Sequence, residues 1–511
     1  MEKKGDGVEI GSGEHANRSL VENFPGGSSK QDTRLSAEVQ APSSETNRRM
    51  HPIDWPRRKK WAATVILSGF AFLQPLSETM LSTVENQVTR AINIQRPYDW
   101  ILVNSLILIG VGLSPLLLAP LSEVYGRKPI LLCGTSFFVV WNTACGAAKN
   151  LEQMLAFRLL SGFGASCADA IAGGLMSDLW RPEERGKAFA VFMVAPLLGP
   201  ALGPICGAFI SEGTSWTWVF WVTSIASAVV VVIAFFFLHE TFVPRLEQRW
   251  YDEDVKKGRI QGPPRETAPF LDLMRTDLQR PFRLLGTQPI VQLLATYMAL
   301  LYGTMFLFLF MYPKMWNQQY HQSVRIGSLN YVSVAIGLIC GVNIAGHLND
   351  RVYVWLKARN NNIGRPEYRI PAMVIGTALV PLGIICWGWT GQRKVHWIVP
   401  NLGSLVFAMG VYICSGCVSV YTIDAYAQYA ASAISTNLVL RSLTAAFFPL
   451  FAPYMFESLG FGWGATVLGG AFAAFGIGVV YILWFHGASI RARSTYCATK
   501  DEVEETSLHP A

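Results

Sequence analysis

Blocks of about twenty almost uninterrupted apolar residues recur along this chain, and a soluble core has no need of even one. A helix rises 1.5 Å per residue, so about twenty residues cross the roughly 30 Å of hydrocarbon in a bilayer. Lipid offers no hydrogen bonds, so each crossing has to satisfy its own backbone groups, as a helix does. The blocks lie near 61–83, 100–120, 129–148, 152–178, 188–211, 217–238, 290–312, 327–346, 370–390, 397–422, 432–456 and 464–486. The separation at 423–431 is marked only by Asp424 and Gln428. Of 511 residues, 15% are charged and 51% hydrophobic, against about 25% charged in a soluble domain. The fold class expected is an all-α polytopic membrane protein with twelve transmembrane helices.

The blocks fall into six, a long polar stretch, and six more, the pattern an internal duplication leaves. This divides the chain into a tail at 1–58, a first half at 59–238, a linker at 239–289, a second half at 290–486 and a tail at 487–511. The first tail is rich in Gly, Ser, Glu, Asn and Lys without apolar periodicity, so it is expected to be disordered. It opens Met1-Glu2-Lys3-Lys4-Gly5-Asp6 and stays polar, so no secretory signal peptide is expected.

A net charge of +7 raises the question of nucleic acid. The basic residues instead sit in short connections. With twelve spans and both ends on one side, that side holds 26 Lys and Arg from residue 57 onward and the other holds seven. By the positive-inside rule both termini and the linker face the cytoplasm, and no nucleic-acid partner is expected. The nine cysteines are scattered singly, which argues against a disulfide framework.

Ionisable residues inside apolar spans cost about 2.5–3.5 kcal/mol each at the centre on insertion scales, which makes them functional candidates. Glu78 lies late in span 1, Arg158 and Asp169 in span 4, Arg441 in span 11, and Asp424 at the edge of span 10. Arg158 and Asp169 are eleven residues apart, close to three helical turns, so they are expected on one inward stripe with Gly162. Glu78 and Arg158 come out at similar depth. Two readings follow: a carboxylate exchanging a proton beside a neutralising cation, or a static ion pair that fixes helix packing.

Span 5 reads Gly199-Pro200-Ala201-Leu202-Gly203-Pro204-Ile205-Cys206-Gly207. Its glycines, four residues apart, make a groove for another helix backbone, and its prolines remove backbone donors and bend the helix. After span 2, Pro120-Leu121-Ser122-Glu123-Val124-Tyr125-Gly126-Arg127-Lys128-Pro129 combines a tight turn at Gly126 with a basic anchor at Arg127 and Lys128. Glu123 is expected to be drawn to the positive N-terminal end of a neighbouring helix.

These residues resemble the major facilitator superfamily, and within it the fungal twelve-span drug:proton antiporters. The stretch 121–129 is similar to the superfamily's loop 2–3 signature (G-x-L-a-D-r-x-G-r-k), with Ala119 for its first Gly, Glu123 for its Asp and Val124 for its first Arg. A degenerate copy, Gly346-His347-Leu348-Asn349-Asp350-Arg351, falls where the duplication places it. Arg158-Leu159-Leu160-Ser161-Gly162-Phe163-Gly164 resembles the span 4 arginine motif associated with proton coupling. The Gly-Pro repeat resembles the antiporter motif. Further likenesses are Glu184-Arg185-Gly186-Lys187-Ala188, His239-Glu240-Thr241-Phe242-Val243-Pro244, Asp424-Ala425-Tyr426 and Arg441-Ser442. Where relatives usually carry small residues, this chain has Ser77-Glu78-Thr79, so the role of Glu78 is not carried over from the family.

The resemblance implies two pseudo-symmetric six-helix bundles around a central cavity, working by alternating access, in a monomer. It implies proton-driven export of a small amphipathic compound, with Arg158 in proton coupling; Asp169 and Glu78 are added to that set as charges inside apolar spans, not through the resemblance. Gly199, Pro200, Gly203, Pro204 and Gly207 form the antiporter motif, and Glu123, Gly126, Arg127, Lys128, Asp350 and Arg351 the gating loops. Candidate cavity residues, chosen as polar or aromatic residues in apolar spans, are Gln74, Asn104, Tyr297, Tyr302, Phe306, Asn330, Tyr331, Tyr412, Asn437 and Arg441. The partners implied are a small-molecule substrate, protons and membrane lipids. The proton gradient is the energy source, with no cofactor, no metal and no catalytic residue. The expected location is the plasma membrane, or alternatively a vacuolar or other internal membrane. Proton-coupled nutrient uptake and a non-transporting receptor are the competing functions. An enzyme is not expected: there is no nucleotide loop, metal-spaced His/Cys cluster or Ser/His/Asp arrangement, and Gly162-x-Gly164 follows no strand.

Overall fold

The computed structural model describes residues 50–259, 279, 281–426 and 430–494. The first half consists of span 1 (Arg57–Met80), span 2 (Pro97–Tyr125), span 3 (Arg127–Gly146), span 4 in two pieces (Leu151–Ala165 and Cys167–Leu179), span 5 (Pro182–Gly213) and span 6 (Thr217–Phe237). The second consists of span 7 (Pro289–Gln318), span 8 in two pieces (Val324–Leu329 and Tyr331–Arg359), span 9 (Ile370–Gln392), span 10 (Ile398–Ala425) and the helical stretch Ala430–Ala492.

That last stretch is too long for one crossing. The 61 residues of Ser432–Ala492 would run about 90 Å if straight, three times the hydrocarbon thickness. Gly460 interrupts it with φ +76°, a backbone that residues with a Cβ rarely adopt, and separates span 11 from span 12. Among the described residues ten helices are long and apolar enough to cross a membrane. Gly460 divides one of these into two crossings. Span 1 is the twelfth: Gln74, Ser77, Glu78 and Thr79 depress its hydropathy, yet every residue from Leu73 to Met80 is buried. That polar stretch is enclosed by protein, not by lipid, whereas Val65 earlier in the helix is exposed.

The helix pairings repeat between the halves. Span 1 packs on span 5, span 2 on span 4, span 3 on span 4 and span 6; correspondingly span 7 packs on span 11, span 8 on span 10, span 9 on span 10 and span 12. The halves meet where span 2 touches span 11 and where span 5 touches span 8, again a matched pair. Spans 3, 6, 9 and 12 form the rim and turn Phe137, Val140, Val229, Phe236, Leu382, Ile477 and Phe485 outward, side chains suited to lipid. The face on which span 1 begins is called the basic face below, and the opposite one the far face.

Two boundaries differ from the sequence expectation. Folded chain begins before residue 57: Pro52–Asp54 forms a turn, Asp54 pairs with Arg181 at 3.3 Å, and the Trp55 ring meets His239 edge-on. Residues 1–49 of the expected tail lie outside the described residues, as do 260–278 of the linker and 495–511. The linker carries a helix, Val243–Lys256, and span 12 continues helical to Ala492.

Candidate functional site

Span 5 lies against span 1 almost backbone to backbone. A Cβ on Gly199 would stand 2.6 Å from Pro75 Cγ; one on Gly203 would meet the Thr79 hydroxyl and, at 2.8 Å, the Leu76 carbonyl; one on Gly207 would strike the Met80 carbonyl. Each glycine thus faces one turn of span 1 between residues 75 and 83. Pro196, Pro200 and Pro204 lie inside the same helix. Thr79 Oγ1 donates to Pro75 O at 2.8 Å, with Gly199 O at 3.4 Å. The groove expected from the glycine spacing is present, and it grips the stretch of span 1 that carries Glu78.

Glu78 is buried. Its Oε2 accepts from Gln74 Nε2 at 3.2 Å, and its Oε1 has no hydrogen-bond partner. Arg158 is fully buried, donates from Nε to Val103 O at 3.1 Å, lies 5.9 Å from the Phe220 ring centroid, and leaves Nη1 and Nη2 without partners. Gly162, one turn on, lets span 4 touch span 2 at Ile107 and Gly110. No ion pair joins Arg158 to Glu78 in this conformation, so the static pair is not made. Unpaired buried charges are costly, so Glu78 and Arg158 remain candidates for a role beyond packing.

Arg158 and Asp169 do not share a continuous stripe. Span 4 breaks at Ser166, whose ψ of 9° is not helical. Before the break Arg158 is enclosed within the first half; beyond it Asp169 is exposed. A carboxylate on a membrane helix does not face lipid, and the opposite charge acting on Asp169 is Arg441, from span 11 of the other half. Arg441 lies over the Tyr302 ring at 4.5 Å, and Tyr302 OH is 3.3 Å from Ser415 Oγ. Asp169, Arg441, Tyr302 and Tyr412 therefore face one another between the halves.

The loops on the basic face form two matched clasps. At the start of span 3, Arg127 reaches Asp178 of span 4 at 3.5 Å and Glu123 of span 2 at 3.6 Å, and donates from Nη1 to Ser122 Oγ at 2.5 Å. At the start of span 9, Arg369 reaches Asp350 of span 8 and Asp424 of span 10, each at 3.0 Å, and lies over the Tyr353 ring. The span 3 helix N-terminus is served by Glu240, whose carboxylate accepts from Arg127 N at 2.8 Å and Lys128 N at 3.2 Å. Gly126, at φ +100°, makes the turn, and a Cβ there would meet the Glu240 carboxylate. Lys128 donates to Phe235 O at 2.9 Å. Arg351, expected in the second gating loop, is exposed and joins no ion pair among the described residues; Arg369 takes that place.

Among the described residues, ion pairs joining the two halves occur only at the far face. Glu85 pairs with Lys314 at 3.6 Å and Glu212 with Arg325 at 3.4 Å, whereas every described pair on the basic face stays within its own half or joins it to a flanking segment. The halves are tied where the cavity would open to the far side.

The sequence profile described as Major Facilitator Superfamily matches residues 67–449, three quarters of the chain. The chain belongs to the Major Facilitator Superfamily. An uncharacterized transporter of Schizosaccharomyces pombe is 38% identical over 470 residues, covering 91% of this chain and 94% of that protein. Efflux pump vrtL of Penicillium aethiopicum is 38% identical over 452 residues, covering 88% and 89%. Among solved structures, the xylose transporter XylE from E. coli superposes with a TM-score of 0.61 at 15% identity, covering 84% of this chain and 98% of that one. At that identity the likeness concerns the fold: two six-helix halves. This Major Facilitator Superfamily protein is a transporter, not an enzyme.

Within the facilitator fold the cavity candidates separate. Gln74 and Glu78 are bonded to each other, and Asn104, Phe306 and Tyr331 line a small chamber with Glu78. Asn437, buried, donates to Thr422 Oγ1 at 3.4 Å and leaves Oδ1 free. Two candidates lie elsewhere. Tyr297 is enclosed in the second half, its hydroxyl 2.8 Å from Thr377 Oγ1 and its ring against Phe472. Asn330 stands at the break between the two pieces of span 8, bonded to Gln322, Gly327 and Asn401. Both are polar groups satisfied locally, which a residue-type criterion does not separate from cavity groups. Glu240 and Arg369 lie outside the site residues expected from sequence: Glu240 enters there only through a family likeness, and nothing local marks Arg369.

Proposed function

We propose that this transporter exports small amphipathic organic compounds from the basic side to the far side, driven by protons moving the other way. The basic face is then cytoplasmic and the far face extracellular, in the plasma membrane. The observation that carries the reading is the clamp of Gly199, Gly203 and Gly207 on the turns of span 1 around a buried, unpaired Glu78. A rigid helix contact at the carboxylate lets rocking of the halves change what surrounds Glu78 without opening a proton leak beside it. Glu78 and Asp169 carry the protons. Arg158, fixed by its bond to Val103 O, balances their charge, and Tyr302, Phe306 and Tyr412 supply apolar surface to the solute. The efflux pump named above supports the direction, since it matches over most of both chains. Deleting the gene should raise cellular accumulation of an amphipathic dye such as rhodamine 6G, and Arg158→Ala should fail to restore export despite normal surface expression. Lower accumulation in the deletion strain, for every compound tried, points to uptake and overturns the reading.

A further inference from the structure

Beyond Glu78 toward the far face lies a chamber of about 30 Å³, lined by Glu78, Thr79 and Ser82 of the first helix and its exit, and Asn104 and Ser105 of span 2. Leu108 and the span 7 side chains Phe306, Leu309 and Phe310 close its apolar wall, with Tyr331 of span 8. Two of the lining oxygens are acceptors without a partner: Glu78 Oε1 and Asn104 Oδ1, both out of reach of solvent. Gln74 occupies the other carboxylate oxygen and leaves Oε1 to the chamber. Ser82 also lines a polar vestibule of about 220 Å³ on the far side, together with Glu85, Asn86, Lys314 and Asn317. One residue therefore separates the chamber of Glu78 from the far-face vestibule.

Two buried acceptors sharing so small a space call for a molecule with two donors. A water has one proton for each, and about 10–15 Å³ suffices to hold it. We propose that Asn104 and Glu78 hold one relay water between them, and that Glu78 exchanges its proton through it with the far-face vestibule. This rests on the proton-coupled reading of Glu78 given above. A hydronium entering past Ser82 gives its proton to Glu78 Oε1, and the water left behind stays bound to Asn104 Oδ1; release reverses the step. Asn104 is thus a positioning residue for proton exchange. The charged groups acting on Glu78 are Arg158 and Asp169 of span 4 and Arg441 of span 11. The chamber walls from spans 2 and 7 bring no titratable side chain, span 5 brings glycines, and span 8 brings the Tyr331 hydroxyl, which donates to Leu309 O at 3.1 Å.

The test uses the full-length protein in lipid, titrated by infrared spectroscopy, which needs no substrate. The carboxylic-acid C=O band that disappears in Glu78→Gln reports on Glu78. In Asn104→Leu that band should move to higher wavenumber, as it does when a carboxyl loses a hydrogen-bonding water, and in Asn104→Ser it should return toward the wild-type position. In proteoliposomes loaded with rhodamine 6G, Asn104→Leu should need about tenfold more far-side protons for half-maximal export, with the dependence on basic-side pH unchanged. Should Asn104→Leu fail to insert, Asn104→Ala, smaller than the native residue, gives the same readouts. A wild-type band and a wild-type far-side pH profile in these variants overturn the relay. Export that remains gradient-driven in Glu78→Gln instead overturns the coupling role of Glu78.

Discussion

Replacing Gly203 by alanine is the smallest change that probes the contact between spans 1 and 5. The added methyl would lie 2.8 Å from the Leu76 carbonyl and 3.1 Å from the Met80 nitrogen, and against Thr79 Oγ1. Two of those atoms are backbone, which no rotamer change can move aside, so the helices have to part. Overpacking of this kind costs about 1–3 kcal/mol. Alanine also favours a helix over glycine by about 1 kcal/mol, which masks part of the loss. Gly173, in the interior of span 4, has nothing within 4 Å of its would-be Cβ, so Gly173→Ala isolates the intrinsic gain. The difference between the two variants should then equal the overpacking cost. The cost falls on the folded state, and about 1.4 kcal/mol of it lowers the folded-to-unfolded ratio of Gly203→Ala about tenfold against Gly173→Ala. Its thermal unfolding midpoint in detergent should therefore be lower. Equal midpoints for the two alanine variants would refute the backbone-to-backbone contact.

Two further outcomes follow from the charge arrangement. Removing both far-face ties by Lys314→Ala with Arg325→Ala should shift the halves toward a far-open arrangement, read as longer spin-label distances across that face. Each half-exposed pair is worth about 0–1 kcal/mol, so the shift from losing both should stay within about thirtyfold, and unchanged distances would contradict the latch. On the basic face, Arg369→Ala removes charge-assisted bonds to Asp350 and Asp424 and should cost about 1.5–3 kcal/mol of stability. Exposed Arg351→Ala should stay within about 0.5 kcal/mol, and the reverse ranking in a denaturation series would sink the clasp.

Much of this architecture is written in local pattern. Apolar block length gave the spans, Gly-Arg-Lys gave the turn at 126, and four-residue glycine spacing gave the groove on span 5, because each rests on residues close in sequence. What escaped depends on distant chain. Glu240 meets Arg127 across 113 residues, and Arg369 meets Asp424 across 55. Neither partner can be read from its neighbours. The break at Ser166 escaped because no proline or glycine stands there, so the three-turn spacing of Arg158 and Asp169 promised a stripe that the helix does not keep. Span 8 runs to Arg359, past the expected 346, because its last turns leave the apolar zone yet remain helical. Tyr297 and Asn330 show the limit of residue type: polarity inside a span identifies a group needing a partner, not where the partner lies.

Under the proposed exchange, solute and proton cross in opposite directions, so lumenal pH follows transport. In everted vesicles whose basic face is outermost, with an acidic lumen containing a pH-sensitive dye, rhodamine 6G is added outside. The compound should enter while the lumen turns more alkaline, and Arg158→Ala should abolish both changes together. Entry of the compound with no lumenal pH change, or with further acidification, would contradict it.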